Sequence, residues 1–435
     1  IQDTFRSIAD NVLPSVVELT VVEKSTPQAT PGDQLPFRFF FGQPQDNNQS
    51  PPDNRSTGLG SGIIVRREGK TVYVLTNNHV AGSASQITAI LSDGREFKAQ
   101  LVGNDDRKDL ALVKFETQGE DIKVATLGDS SALRVGDWAI AMGSPFGYVS
   151  SMTVGVVSAL GRSGGPDGNI SDFIQTDASI NKGNSGGALV NIRGEVVGIN
   201  TWIASPTGTS VGLGFSIPIN NAKKAIDDFI NKKQVEYGWL GVSLRELDKA
   251  TAEDLGVEVK KGAFVAHIFT GSPAAKAGFL PGDFIASVQG AEMKGQGDVV
   301  RVVGDLAVGK SASFTIIRDG KKIELSAKIE ARNPKIATND GNLFPGIDVI
   351  SITSDDLDKT KLPQGVGGVF VANVTAKSMA AVAGIKPGDI ITAMSEKDLK
   401  SVRDFYRRLN DPSAKNLSMT INRDGESITL AYARK

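Results

Sequence analysis

Ser185 stands in the run Asn181-Lys182-Gly183-Asn184-Ser185-Gly186-Gly187-Ala188. A serine hydroxyl attacks a carbonyl carbon only when a base removes its proton and N–H groups hold the oxyanion that forms. Glycines on both sides allow tight backbone turns and close approach of a substrate. Such a run is also ordinary loop chemistry, so its meaning depends on partners. The base should be histidine, and the chain has two, His79 and His267. His79, in Leu75-Thr76-Asn77-Asn78-His79-Val80-Ala81, ends a β-rich run and is the only histidine in the region that carries Ser185. His267 lies in an alternating segment of the C-terminal half and reads as a structural or ligand-pocket residue. A third group, a carboxylate, should fix the imidazole tautomer and stabilise the imidazolium. Asp109 opens the apolar run Leu110-Ala111-Leu112-Val113-Lys114, which would draw its carboxylate inward. Asp105 and Asp106 sit in the preceding polar turn and Asp177 lies near the serine. Order and spacing favour Asp109 over these three.

The chain order His79, Asp109, Ser185 is that of the chymotrypsin-like proteases, whereas subtilisin-like and α/β-hydrolase enzymes arrange the same groups differently. The turn at Gly183, Asn184 and Ser185 is then the expected oxyanion hole, with the N–H groups of Gly183 and Ser185 as donors. In that fold, residues just before the nucleophile and a later loop line the primary pocket. Ala178-Ser179-Ile180 contains no acidic residue, which argues against Lys or Arg selection, and Ile180 and Ile203 imply a small aliphatic pocket.

The elements that must position these groups are short. Runs such as Val72-Tyr73-Val74-Leu75-Thr76 and Glu195-Val196-Val197-Gly198-Ile199 alternate with Gly and Asp turns over residues 12–217, predicting an all-β barrel or sandwich. Ala222, Ala225, Ile226, Phe229 and Ile230 have the spacing of an amphipathic helix over residues 221–233, which would close the first domain. Residues 25–57 break the β pattern with six prolines and the cluster Phe37, Phe39, Phe40 and Phe41. Four phenylalanines in a polar loop are expected to dock on a partner surface.

The C-terminal half contains a repeat. Gly262-Ala263-Phe264-Val265-Ala266 matches Gly368-Val369-Phe370-Val371-Ala372, 106 residues on (368 minus 262), as Ser272 matches Ser378 and Pro281-Gly282-Asp283 matches Pro387-Gly388-Asp389. Arg318-Asp319-Gly320 matches Arg423-Asp424-Gly425 at 105 (423 minus 318). Two copies of about 95 residues are each domain-sized. The expected organisation is a first domain over residues 1–235, a second over 236–332, a polar link over 333–342 and a third over 343–435.

Composition excludes other classes. The formal net charge is −1 and no domain is strongly basic, so nucleic acid is not an expected partner. Cysteine is absent, which removes disulfides, catalytic thiols and Cys-based metal sites, and one histidine per region makes zinc improbable. Neither metal nor cofactor is expected. No apolar run approaches the roughly 20 residues of a membrane-spanning helix. A chain beginning at Ile1 without an apolar leader reads as an exported product whose signal has been removed.

Thr76-Asn77-Asn78-His79-Val80, Asp109-Leu110-Ala111 and Gly183-Asn184-Ser185-Gly186-Gly187 resemble the triad motifs of the HtrA (Deg) family of bacterial envelope proteases, and the likeness spans the whole chain. The resemblance implies a mainly β fold: a chymotrypsin-like double β-barrel followed by two PDZ domains of α+β type. It implies a periplasmic, ATP-independent endoprotease that cleaves unfolded or misfolded proteins and doubles as a chaperone. It also implies homo-trimers, joined into larger cages. Residues 25–57 look like the family's regulatory loop and residues 161–172 like its sensor loop. Arg162 falls where the family has an arginine that relays activation between subunits. Trp239-Leu240-Gly241-Val242 matches the family's carboxylate-binding loop. Phe344-Pro345-Gly346-Ile347 is its counterpart, in which Pro345 lacks an N–H donor, so direct peptide capture is expected of the first PDZ domain. The rival expectation is a holdase or scaffold with an inert barrel. Retention of both His79 and Ser185 opposes it.

Overall fold

The computed structural model describes the chain except residues 25–54, 120, 145–150, 167–168, 207, 259–260, 334–335, 337–341, 353–366, 414–415 and 434–435. The phenylalanine cluster expected to dock on a partner lies outside the described residues. The chain divides into two compact units, Ile1–Val235 and Glu236–Lys435.

Twelve strands of the first unit form two closed barrels. The first contains β1 (Val16–Lys24), β2 (Arg55–Glu68), β3 (Thr71–Thr76), β4 (Gln86–Ile90), β5 (Glu96–Asp105) and β6 (Leu110–Glu116) in the order β1-β2-β3-β6-β5-β4. The second contains β7 (Trp138–Gly143), β8 (Ser151–Arg162), β9 (Phe173–Thr176), β10 (Ala188–Val190), β11 (Val196–Ile203) and β12 (Gly214–Pro218) in the order β10-β11-β12-β9-β8-β7.

The period-2 alternation of side chains sorts residues between cores. Along β3, Val72 and Val74 pack with Val17, Leu19, Ile64, Ala111 and Val113. Tyr73 and Leu75 instead join Ile63, Leu110 and Leu112 in a cluster shared with Ile140, Met142 and Ile199 of the second barrel. Ala139, Ala141, Leu189 and Val197 fill the second barrel. A one-residue slip would exchange both faces, and each fully buried Val, Leu or Ile is worth about 1.5–3 kcal/mol, so register is strongly specified.

Two helices seal the shared cluster. The helix α1 (Gln2–Val12), which the sequence reading did not anticipate, contributes Ile8 and Val12. A single turn, α2 (Asn78–Ala81), carries His79. The helix expected over residues 221–233 runs Ile219–Lys232 (α3) and buries the Ala222, Ala225, Ile226 and Phe229 stripe that predicted it.

The second unit contains the repeat as two sheets of one design. The first has β14 (Val242–Arg245), β15 (Ala263–Phe269), β16 (Phe284–Val288), β18 (Ser311–Arg318) and β19 (Lys321–Lys328) in that order, with β17 (Ala291–Glu292) on β16, while β13 (Gly238–Trp239) and β20 (Glu330–Ala331) pair as a separate two-stranded sheet. After β21 (Leu343–Phe344), the second has β22 (Ile347–Ser351), β23 (Val369–Val374), β24 (Ile390–Met394), β26 (Asn416–Arg423) and β27 (Glu426–Ala433), with β25 (Lys397–Asp398) on β24.

The repeated residues make repeated bonds. Ser272 and Ser378 each cap a short helix by accepting the N–H of Ala275 and of Ala381. The Arg318 guanidinium forks onto the buried Asp283 at 2.6 and 2.8 Å and also donates to Gly278 O. Arg423 does the same to Asp389 at 2.7 and 2.8 Å and to Gly384 O. Such bidentate charge-assisted pairs are stronger than neutral hydrogen bonds and fix geometry. No helix among the described residues is long and apolar enough to cross a membrane.

Candidate active site

Asp109, the turn residue immediately before β6, has φ of +55°, in the left-handed region. That conformation turns its carboxylate back toward α2 instead of along the strand. Oδ1 accepts the backbone N–H of His79 at 2.9 Å and Oδ2 lies 2.8 Å from the ring Nδ1. Both side chains are buried. A carboxylate against Nδ1 selects the tautomer protonated there, leaving Nε2 as the basic nitrogen. Of the competing carboxylates, Asp105 accepts from Arg107 N at 3.0 Å, Asp177 accepts from Val156 N at 2.7 Å, and Asp106 is exposed in the turn.

Ser185 lies in the second barrel on a turn built around glycine. Asn184 N donates to Asn181 O at 3.0 Å, closing a four-residue turn whose third residue, Gly183, has φ of +100°. Turns of this shape put glycine at that position. Gly186 has φ of +83°, and a Cβ there would lie 2.1 Å from Ser61 O, so no other residue fits. Gly186 N and Gly187 N donate to Asn200 O and Asn184 O. Among the described residues, no acceptor takes the N–H of Gly183 or of Ser185. The Ser185 hydroxyl donates to Thr201 O at 2.9 Å.

Asn77 joins the two halves. Its side-chain amide donates to Asp109 O at 2.9 Å and to Thr201 Oγ1 at 3.2 Å. One network therefore runs from His79 through Asp109, Asn77 and Thr201 to Ser185, spanning both barrels. Asn77 stands in the motif around His79 without an assigned role, because backbone acceptors such as Asp109 O leave no mark on sequence. Replacing Asn77 by alanine orphans two buried acceptors and should cost about 1–3 kcal/mol. Urea denaturation of the variant measures that loss, and an unchanged midpoint would remove the clamp from the account.

Ile180 and Ile203 share one apolar cluster with Ala178, Leu189 and Val197, and Ile180 has no exposed surface. Both therefore pack inside the second barrel. Arg162 is exposed at the end of β8 and donates to Gln175 Oε1 at 2.9 Å. Downstream of it, Ile170 N donates to Arg107 O at 2.9 Å, tying this loop to the turn before Asp109. Among the described residues no group of three or more acidic or histidine side chains is placed to hold a metal ion.

In the second unit, Leu240 O accepts from Ala274 N at 2.8 Å and Gly241 O from Phe269 N at 3.0 Å. The loop containing Trp239 and Gly241 thus leads directly into Val242 of β14, which stands at the sheet edge. The helix Gln296–Asp305 supplies Gln296, whose amide reaches Leu244 O of β14 at 3.3 Å. The counterpart loop is engaged internally. Gly346 N donates to His267 Nδ1 at 3.3 Å and Tyr432 Oη to Pro345 O at 2.8 Å. His267 Nε2 lies 3.1 Å from Asp348 Oδ1, while Asn373, its repeat counterpart, donates to Oδ2. Burial works to raise the Asp348 pKa, but the hydrogen bonds from His267 and Asn373 and the nearby Arg245 charge hold it below the ordinary carboxylate range.

Comparison with known proteins matches this architecture segment by segment. A trypsin-like peptidase domain matches residues 60–199, and PDZ domains match residues 238–329 and 346–422. The periplasmic serine endoprotease DegP of Salmonella typhimurium is 38% identical over 97% of this chain and 90% of its own. DegP of Escherichia coli K12 is 36% identical over the same shares. Among solved structures, the HtrA-type protease AlgW with a decapeptide is similar with a TM-score of 0.60 and 37% identity, over 76% of this chain and 99% of that one.

Proposed function

Because the chain belongs to the HtrA family of periplasmic serine endoproteases, we propose that His79, Asp109 and Ser185 are its catalytic triad and that its PDZ domains gather unfolded protein. The observation that supports this most is the 2.8 Å contact of His79 Nδ1 with Asp109, joined by one hydrogen-bond network to the Ser185 hydroxyl.

In this reading the hydroxyl turns from Thr201 O to Nε2 of His79, which takes its proton as Oγ attacks the peptide carbonyl carbon. The new oxyanion accepts hydrogen bonds from Gly183 N and Ser185 N. Asp109 holds the imidazolium in place without taking its proton. His79 then protonates the leaving amine, and water repeats the sequence on the acyl-enzyme. Ile180 and Ile203 shape the second-barrel wall against which a small aliphatic side chain would bind. The protease domain comprises residues 1–235 and the PDZ domains residues 236–332 and 343–435.

An unfolded chain would add a strand along β14, its C-terminus meeting the loop Trp239-Leu240-Gly241-Val242. Peptide capture rests on this first PDZ domain, since the second loop has Pro345 and its Gly346 N–H already engages His267. Catalysis is independent of ATP. The assembly is a homo-trimer that builds larger cages and also holds unfolded chains, with residues 25–57 and Arg162 coupling the subunits.

Removing residues 236–435 tests the division of labour. Hydrolysis of a short activated peptide should persist, whereas digestion of a denatured protein should slow. Equal digestion by the full and shortened chains would dismiss substrate capture by the PDZ domains.

A further inference from the structure

Ser61, on β2 of the first barrel, has no exposed surface and makes four hydrogen bonds. Its N–H donates to Ser185 O at 2.8 Å and its Oγ to Gly183 O at 2.6 Å. Oγ accepts from Ser144 N at 2.8 Å, and Ser61 O accepts from Thr76 Oγ1 at 2.7 Å. Ser144 Oγ in turn donates to Glu18 Oε2 at 2.9 Å. Ser61 thus bridges its own barrel to the turn that bears Ser185 in the other.

The proposed oxyanion donors belong to the peptides 182–183 and 184–185. Ser61 holds the carbonyls of the two peptides that alternate with them, 183–184 and 185–186. The other ends of those peptides are also held, Asn184 N by Asn181 O and Gly186 N by Asn200 O. Glycine resists peptide rotation less than any other residue, so a turn centred on Gly183 needs such anchors to keep one orientation. We infer that Ser61 is a positioning residue for the oxyanion hole. It touches no substrate, but its hydroxyl pins Gly183 O so that Gly183 N faces the reacting carbonyl. This rests on the triad reading above.

Replacing Ser61 by alanine preserves both backbone bonds and removes only the hydroxyl. Losing one oxyanion donor outright costs roughly 10²–10³ in kcat, and mispositioning one should cost about 10- to 100-fold. In the full-length chain, S61A should show that fall in kcat on a short peptide with KM unchanged. Affinity for a peptide boronate, which forms a tetrahedral adduct, should fall in parallel. The His79 imidazole titration, followed by NMR, should stay as in the parent, because the defect lies on the oxyanion side. S61C retains the shape with a weak donor in a chain that has no other cysteine, and should fall between the two. If S61A does not fold, S61C carries the test alone.

Parental kcat in a folded variant, a loss that appears in KM, or a disturbed His79 titration would each overturn the inference. Ser185→Ala, assayed alongside, separates the two readings. If it is inactive while S61A is parental, only the role of Ser61 fails. If it is active, the triad itself fails.

Discussion

Ser185→Ala should lower peptide-bond hydrolysis by about 10⁴-fold or more, the scale at which triad serines act. The substitution removes Oγ, and with it the atom that would form the acyl-enzyme. It leaves the His79–Asp109 pair at 2.8 Å and the turn around Gly183 in place. Structurally the loss is one hydrogen bond, to Thr201 O, worth about 1 kcal/mol. The variant should therefore fold and, on the proposed reading, hold unfolded protein while failing to cut it. Denatured protein followed by gel electrophoresis, with a fluorogenic peptide in parallel, measures both. Degradation at the parental rate would refute the nucleophile, and undiminished suppression of aggregation would demonstrate the holding activity separately.

Asp109→Asn should be nearly as damaging, about 10⁴-fold in kcat, the scale set by the equivalent change in a triad of this type. The carboxylate accepts two hydrogen bonds from His79, one from its backbone N–H and one at Nδ1. A side-chain amide has a single acceptor oxygen. If that oxygen faces the His79 N–H, the NH₂ group faces Nδ1 and forces the proton onto Nε2, where it blocks uptake of the serine proton. Asparagine tolerates the left-handed backbone at this position, where φ is +55°, better than most residues. The fold should survive, which makes the kinetic loss interpretable. Single-turnover rates of D109N on an activated ester, set beside its melting temperature, decide the matter. Parental turnover would mean that another group orients His79.

The two variants probe opposite ends of the network that Asn77 and Thr201 complete. Their effects should not add, because each already disables the same proton transfer. The doubly substituted chain should be no slower than the slower single variant.

Much of this arrangement was legible beforehand because its signals are local. The β-rich run Val72-Tyr73-Val74-Leu75 marked a strand, although with all four residues apolar only the structure shows that β3 divides them between two cores. The stripe through Ala222, Ile226 and Phe229 recorded a helix. Pairing of His79 with Asp109 followed from the scarcity of histidine and the apolar run that buries the aspartate. The helix Gln2–Val12 escaped notice because its polar sequence buries only Ile8 and Val12.

Residue types and order alone determined the chemistry available, a hydroxyl, an imidazole and a carboxylate in chymotrypsin-like sequence, and the duplication of the C-terminal half. Tertiary structure decided which groups each of them meets. It placed Thr201 O under the Ser185 hydroxyl, Ser61 Oγ on Gly183 O, the Arg318 fork on Asp283, and His267 against the N–H of Gly346. The reason is physical. These partners are backbone groups, which every residue carries alike, or side chains separated by many residues without any period. Only closure of the barrels and packing of the repeated sheets brings them within the roughly 3 Å at which a hydrogen bond forms.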